Sequence, residues 1–203
     1  GTALIVDGAS AGQVSDSPKQ MQGMSGRVVI WPDKLVYTRE GTLESLEAQY
    51  RAAGLQFGDG TFAGQDAKAN AITTTGAAFP FRVGVAVTIS GCTAQPENNM
   101  TLVIREIRDD GKQLRFYENS FTLPEKQTSV TETGTVTIAR SVPDLDFLCA
   151  NENRLWGCKG DTIYCSKLGD PYNWNVFDGL STDSWSVETG TPGDFTACVS
   201  FLG

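Results

Sequence analysis

The chain has 203 residues, with 16 Lys and Arg against 24 Asp and Glu, a formal net charge of −8, and no histidine. So acidic a balance lacks the phosphate-neutralising surface that nonspecific nucleic-acid binding needs, and no nucleic-acid partner is expected. Without histidine no Ser-His-Asp triad, Cys-His dyad or mixed Cys/His zinc site can be built. No apolar stretch is long enough to span a bilayer as a helix, so no membrane partner is expected either.

Twenty-two glycines and few long helix-forming runs point to strands and turns, in one large β domain or two small ones. Ala3-Leu4-Ile5-Val6 reads as a short apolar strand closed by Asp7-Gly8. The next stretch, Ala9 to Ser25, is rich in Ser, Gly, Gln and Ala, contains Pro18, and reads as a loop. Val28-Val29-Ile30-Trp31 and Leu35-Val36-Tyr37-Thr38 flank Pro32-Asp33-Lys34 as a hairpin.

Residues 43–53 fit two periods. Leu43, Leu46 and Tyr50 would share a helix face, with Gly54 as the stop. Leu46, Ala48, Tyr50 and Ala52 also alternate with polar residues as in a strand, and the β surroundings favour the strand. Gly58, Gly60 and Gly64 miss the G-x-G-x-x-G spacing by one place and no lysine follows them, so Gly58 to Gly64 reads as a plain turn and not a phosphate cradle.

Val83, Val85, Val87 and Ile89 alternate with Arg82, Gly84, Ala86 and Thr88, the pattern of a half-buried strand. Pro96-Glu97-Asn98-Asn99 is a turn, Thr101 to Ile107 a strand, Asp109 to Lys112 a hairpin turn and Leu114 to Glu118 its return. After a polar stretch, Thr135 to Arg140 closes the set, and strands at this spacing suit a small closed or nearly closed barrel. Ser141-Val142-Pro143-Asp144 looks like a junction.

Beyond it Leu145, Phe147 and Cys149 alternate as a strand. Arg154 to Cys158 and Thr162 to Ser166 form a tight hairpin around Lys159-Gly160-Asp161. At the end, Phe195, Ala197, Val199 and Phe201 alternate as another strand. An apolar strand there would leave the kind of exposed edge that proteins avoid, so the chain is expected to be a fragment of a longer one.

The five cysteines, Cys92, Cys149, Cys158, Cys165 and Cys198, match no zinc spacing and no metal site is expected. They read as buried, reduced thiols, with a Cys158–Cys165 bridge across the hairpin as the alternative. Carboxylates near aromatics, Asp161, Asp170, Asp178, Asp183 and Glu188, could supply a glycosidase pair. Aspartates beside Gly and Pro more commonly bond their own turn, and no catalytic residue is assigned. Trp156, Trp174, Trp185, Tyr164, Tyr172 and Phe177 could form a sugar platform or, more simply, a β-sheet core. The residues kept as a binding candidate, for carbohydrate or a partner, are Asp170, Tyr172, Asn173 and Trp174, in the loop that follows the hairpin.

Two segments carry a family resemblance. Residues 151–178, with R-L-W-G, then D-T-I-Y-x-S, L-G-D-P-x-N-W and Phe177-Asp178, resemble an element of tail and tail-nozzle-like structural proteins of bacteriophages and prophages, where it looks like a β-propeller blade. Residues 79–118, with F-x-F-R-V-G-x-A-V-T-I-S-G, I-R-E-I and L-R-F-Y-E-N, resemble the small β-barrel inserted in such proteins. This chain departs at Gly84-Val85, where the barrel strand usually continues G-D. The resemblance implies a virion component assembled in a bacterial host, working through contacts with other virion proteins and with its own copies, without cofactor or enzymatic activity.

The expected fold is therefore all-β. Propeller-like antiparallel strands in residues 1–42 and 143–203 would be interrupted by an inserted small β-barrel at 56–141, with 43–55 as the connecting segment. The competing expectation is a carbohydrate-binding module or propeller glycosidase that uses the Asp170–Trp174 loop.

Overall fold

A computed structural model describes residues 2–60, 69–176 and 179–201, and within them the chain is all-β with antiparallel pairing throughout. It divides into two compact units, residues 1–47 with 141–203, and residues 48–140.

In the first unit, β1 (Thr2–Val6) and β2 (Ala9–Val14) form a hairpin. Its turn places Asp7 and Gly8 at φ of +50° and +81°, the left-handed pair that a two-residue hairpin turn requires. The segment expected to be a loop thus holds β2 and also β3 (Gln20–Met24). Its Ser, Gly and Gln content hid both strands, because neither shows an apolar alternation.

Strands β3, β4 (Arg27–Trp31), β5 (Leu35–Tyr37) and β6 (Leu43–Ser45) make a four-stranded meander. The remaining strands of the chain are β7 (Ala48–Ala52), β8 (Leu55–Gly58), β9 (Ala71–Thr73), β10 (Ala86–Ser90), β11 (Thr101–Arg108), β12 (Gln113–Phe116), β13 (Ser129–Glu132) and β14 (Val136–Arg140) in the second unit, and β15 (Phe147–Asn151), β16 (Arg154–Lys159), β17 (Thr162–Cys165) and β18 (Trp185–Glu188) in the first. The last four make a second meander.

The two meanders share one core: Met24, Val29, Trp31, Val36 and Leu46 from one side, Leu145, Leu148, Leu155, Tyr172 and Trp174 from the other. Gly157 is needed here, because a Cβ on it would run into Leu145 and lie 2.7 Å from the Phe147 carbonyl. Side-chain bonds reinforce the packing. The Gln20 amide accepts from the Leu148 N–H at 2.8 Å and donates to the Asp146 carbonyl at 3.0 Å. Gln22 repeats the pattern two residues on, with Ala150 N–H and Leu148 C=O, both at 3.3 Å. The Trp31 indole donates to the Leu145 carbonyl at 2.7 Å. Because side chains two apart on a strand point the same way, Gln20 and Gln22 both reach the β15 backbone and act as a ladder built from side chains.

The second unit is one sheet in the order β13-β8-β9-β12-β11-β10-β14-β7. Leu55, Phe57, Ile72, Val87, Ile89, Ile104, Leu114, Phe116, Val136 and Ile138, drawn from six of its strands, meet in one core, with Tyr50 and Val130 of the two outermost strands packed against it. The sheet therefore curls around its own side chains. No pairing joins β13 to β7 among the described residues, so the expected barrel is not closed by hydrogen bonds. Instead the chain runs on from β7 into β8, and the Gly54 N–H donates to the Glu132 carbonyl at 2.8 Å to carry the ladder around that corner.

Several local expectations change. The segment 43–55 is not a connector: it supplies β6, β7 and the start of β8. The strand reading of 43–53 stands, as two strands parted by the fully buried Leu46. Val83 is exposed while Val85, Val87 and Ile89 are buried, because Gly84 at φ +86° breaks the alternation before β10 begins. Strands β9, β13 and β18 were not anticipated, being short or polar. The Gly58–Gly64 turn lies partly outside the described residues. The 195–201 run does not form a strand: Phe195 N–H donates to the Gly160 carbonyl at 2.9 Å and Ser200 Oγ to Asn151 at 3.2 Å. It lies as an irregular strap over one face of the β15–β18 meander, where its backbone is tied down without pairing along an edge.

Candidate functional site

The Asp170–Trp174 loop follows β17 through Ser166 and Lys167, and the aspartate shapes it. Asp170 Oδ1 accepts the Tyr172 N–H at 2.8 Å and Oδ2 accepts the Asn173 side-chain amide at 2.6 Å, a turn closed by its own carboxylate. The Trp174 indole donates to the Pro171 carbonyl at 2.9 Å, and the Asn173 carbonyl accepts the Lys167 N–H at 2.8 Å. Tyr172 donates its hydroxyl proton to Glu44 at 2.7 Å.

Tyr172, Asn173 and Trp174 retain only 4%, 1% and 3% of their surface, and both rings belong to the core. A sugar platform needs an open ring face, and these rings offer none. The sequence-picked loop is brought together by the fold, but as a plug under the meanders.

The remaining aromatics separate by strand register. Trp156, Cys165 and Trp185 are cross-strand partners, as are Cys158, Ile163 and Val187, so all point to the same face of the β15–β18 meander. The rings of Trp156 and Trp185 meet edge to face with centroids 5.2 Å apart. Tyr164 lies on the opposite face and packs on the core. Phe177 and Asp178 lie outside the described residues. On β18, Trp185 keeps 38% and Val187 45% of its surface, so this strand carries an apolar stripe in water. The alternation Trp-Ser-Val-Glu was the available signal for it.

Like Asp170, the candidate carboxylates of Asp161 and Asp183 are bound locally. Asp183 Oδ2 accepts the Leu180 N–H at 2.9 Å, and Asp161 Oδ1 accepts the hydroxyl of the next residue, Thr162, at 3.4 Å. Arg154, missed by the sequence reading, is the polar hub of this region. Its guanidinium donates to the carbonyls of Ser166, Asp183 and Ser181 at 2.7, 2.7 and 2.6 Å. It thereby ties β16 to the irregular stretch before β18.

No cysteine is bonded: Cys92, Cys149, Cys158 and Cys165 are buried free thiols and Cys198 is half-buried. Cys158 pairs with Ile163 and Cys165 with Trp156, so the two are diagonal neighbours. Diagonal partners sit roughly 7–8 Å apart, at or beyond the reach of a disulfide, which disposes of the bridge across the hairpin. Burial pushes the Cys92 thiol up to about 11, with the Glu132 charge adding to it. Among the described residues no group of three or more Cys, Asp or Glu is placed to hold a metal ion.

Two surface clefts, of about 590 and 340 Å³, both border Gly23, Met24 and Ser25, and neither is lined by the Asp170–Trp174 loop. Among the described residues no helix is long and apolar enough to cross a membrane. Compared with known proteins, the chain matches no protein-family model and no curated sequence.

Proposed function

We propose that the chain is a structural component of a phage or prophage virion, in the tail or the head-to-tail region, acting through contacts with other virion proteins and with its own copies. In this reading the two meanders are propeller-type blades and the coiled sheet of residues 48–140 is the inserted barrel-like module. The observation that carries it is the apolar stripe of Trp185 and Val187 on β18, set in a unit whose best ligand-binding candidates, Tyr172 and Trp174, are consumed by the core. Exposed apolar side chains on a strand suit a protein surface better than a small polar ligand. The resemblance of residues 79–118 and 151–178 to tail proteins supplies the virion context.

Negative-stain electron microscopy of the purified chain, with light scattering across a concentration series, tests the proposal. Rings, tubes or a discrete oligomer support it. A monomer at every concentration that binds specific sugars on a glycan array would replace it with the carbohydrate-binding reading.

A further inference from the structure

The strap over the outer face of the β15–β18 meander ends in a feature that packing does not require. Cys198, on the strap, brings its Sγ to 3.0 Å from the Sγ of Cys149 on β15. A cystine bond is about 2.05 Å long, so the two sulfurs need to approach by only about 1 Å. The strap is already held at both ends, by Phe195 N–H on the Gly160 carbonyl and by Ser200 on Asn151, so bonding would cost little further ordering. Cys149 is buried and Cys198 half-buried, which makes Cys198 the thiol that an oxidant reaches and Cys149 the one that resolves.

We propose that Cys149 and Cys198 are an oxidation site that closes a disulfide and staples the strap across the sheet. With a small-molecule disulfide such as oxidised glutathione as the oxidant, the Cys198 thiolate attacks one of its sulfurs and forms a mixed disulfide, releasing one thiolate. The Cys149 thiolate then attacks Cys198 Sγ and displaces the second. The two protein thiols lose two electrons and two protons, and the oxidant becomes two thiols. Burial and the adjacent Cys149 thiol push the Cys198 thiol well up, so the exchange is faster at alkaline pH. Such a bond is stable in an oxidising, extracellular setting and lost in a reducing cytosol. Cys158 is the internal competitor, since it lies close enough to feel the charge of Cys198.

The test is to incubate the folded wild-type chain at pH 8.5 with excess oxidised glutathione, count thiols after denaturation, and map the linked peptides by mass spectrometry without reduction. The expected result is a fall from five thiols to three, a single cross-linked pair containing Cys149 and Cys198, and a melting temperature about 5–10 °C above the reduced form. Cys198→Ser should show neither the bond nor the shift while matching the reduced wild type in far-ultraviolet circular dichroism. Five thiols retained, a glutathione adduct that never resolves, or a bridge mapped to Cys158–Cys198 would overturn the proposal. Wild-type mapping decides the matter even if the serine variant folds poorly.

Discussion

The two units solve the same problem, burying apolar strands, by different means. In residues 48–140 one sheet curls around its own side chains, and fully buried Phe57, Ile72, Leu114 and Phe116 hold it by packing, with Phe57 and Phe116 both edge-on to Phe121. In residues 1–47 and 141–203 two separate meanders have to be joined. Packing there is supplemented by directional groups: Gln20, Gln22, Trp31 and Tyr172 each spend a polar end on a backbone or carboxylate partner across the two, and Arg154 does so within the second meander. A self-enclosing sheet is sensitive to volume, and a pair of joined sheets is sensitive to hydrogen bonding as well. The difference is experimentally convenient, because all four tryptophans, Trp31, Trp156, Trp174 and Trp185, lie in the joined unit, so tryptophan emission reads that unit alone.

The largest expected effect is a cavity in the curled sheet. Phe57→Ala should destabilise residues 48–140 by about 3–5 kcal/mol, seen as lost amide-exchange protection in β8 and β12. Tryptophan emission should stay native under the same conditions, and a simultaneous red shift would show that the two units do not melt separately.

Next is the polar hub. Arg154→Met keeps bulk but leaves three carbonyls without their donor, and should cost the joined unit about 3 kcal/mol, read as a lower urea midpoint of tryptophan emission. A loss under 1 kcal/mol would mean that packing alone holds the stretch before β18 against β16.

The curled unit also buries charged side chains, Glu132 and Arg140 among the described residues, and Glu132 tests whether volume is the whole story there. Glu132 is fully buried and its carboxylate accepts the N–H groups of Thr93, Ala94 and Gln95 at 2.9, 2.9 and 3.2 Å. Burial alone would raise its pKa, but these donors more than offset that and hold it below the ordinary value of 4.5. Since the folded pKa is depressed, its stabilisation is fully present above about pH 5 and fades as pH falls below 4.5 toward the folded value. Glu132→Gln should lose about 2 kcal/mol at pH 7 and flatten that acid limb of the stability profile. An unchanged limb would place the acid sensitivity elsewhere.

Smallest is the side-chain ladder. Gln20→Leu should cost about 1 kcal/mol in the joined unit by freeing the Leu148 N–H and the Asp146 carbonyl. A neutral result would show that water replaces both bonds.

What the sequence disclosed follows the same division. Apolar alternation at Val85, Val87 and Ile89, and the hairpins at Lys159-Gly160-Asp161 and Asp109 to Lys112, were visible because period and turn chemistry are local signals. Strands β2, β3, β9 and β13 were not, since their residues are small or polar and their pairing is decided by partners distant in sequence. The Asp170–Trp174 loop stands out in the sequence as a binding candidate, but sequence does not distinguish an aromatic facing a ligand from one facing a core that includes Trp31 and Leu155. Trp185 and Val187 were legible as residues and not as a surface, because exposure depends on what the fold places over them.

Sedimentation velocity of the wild type beside a Trp185→Asp, Val187→Asp double variant bears most directly on an assembly role for the joined unit. These side chains are already partly in water, so the variant should keep its native fold. The prediction is a wild-type oligomer that grows with concentration and a variant that stays monomeric with unchanged circular dichroism. A wild type that is monomeric throughout, indistinguishable from the variant, would contradict it.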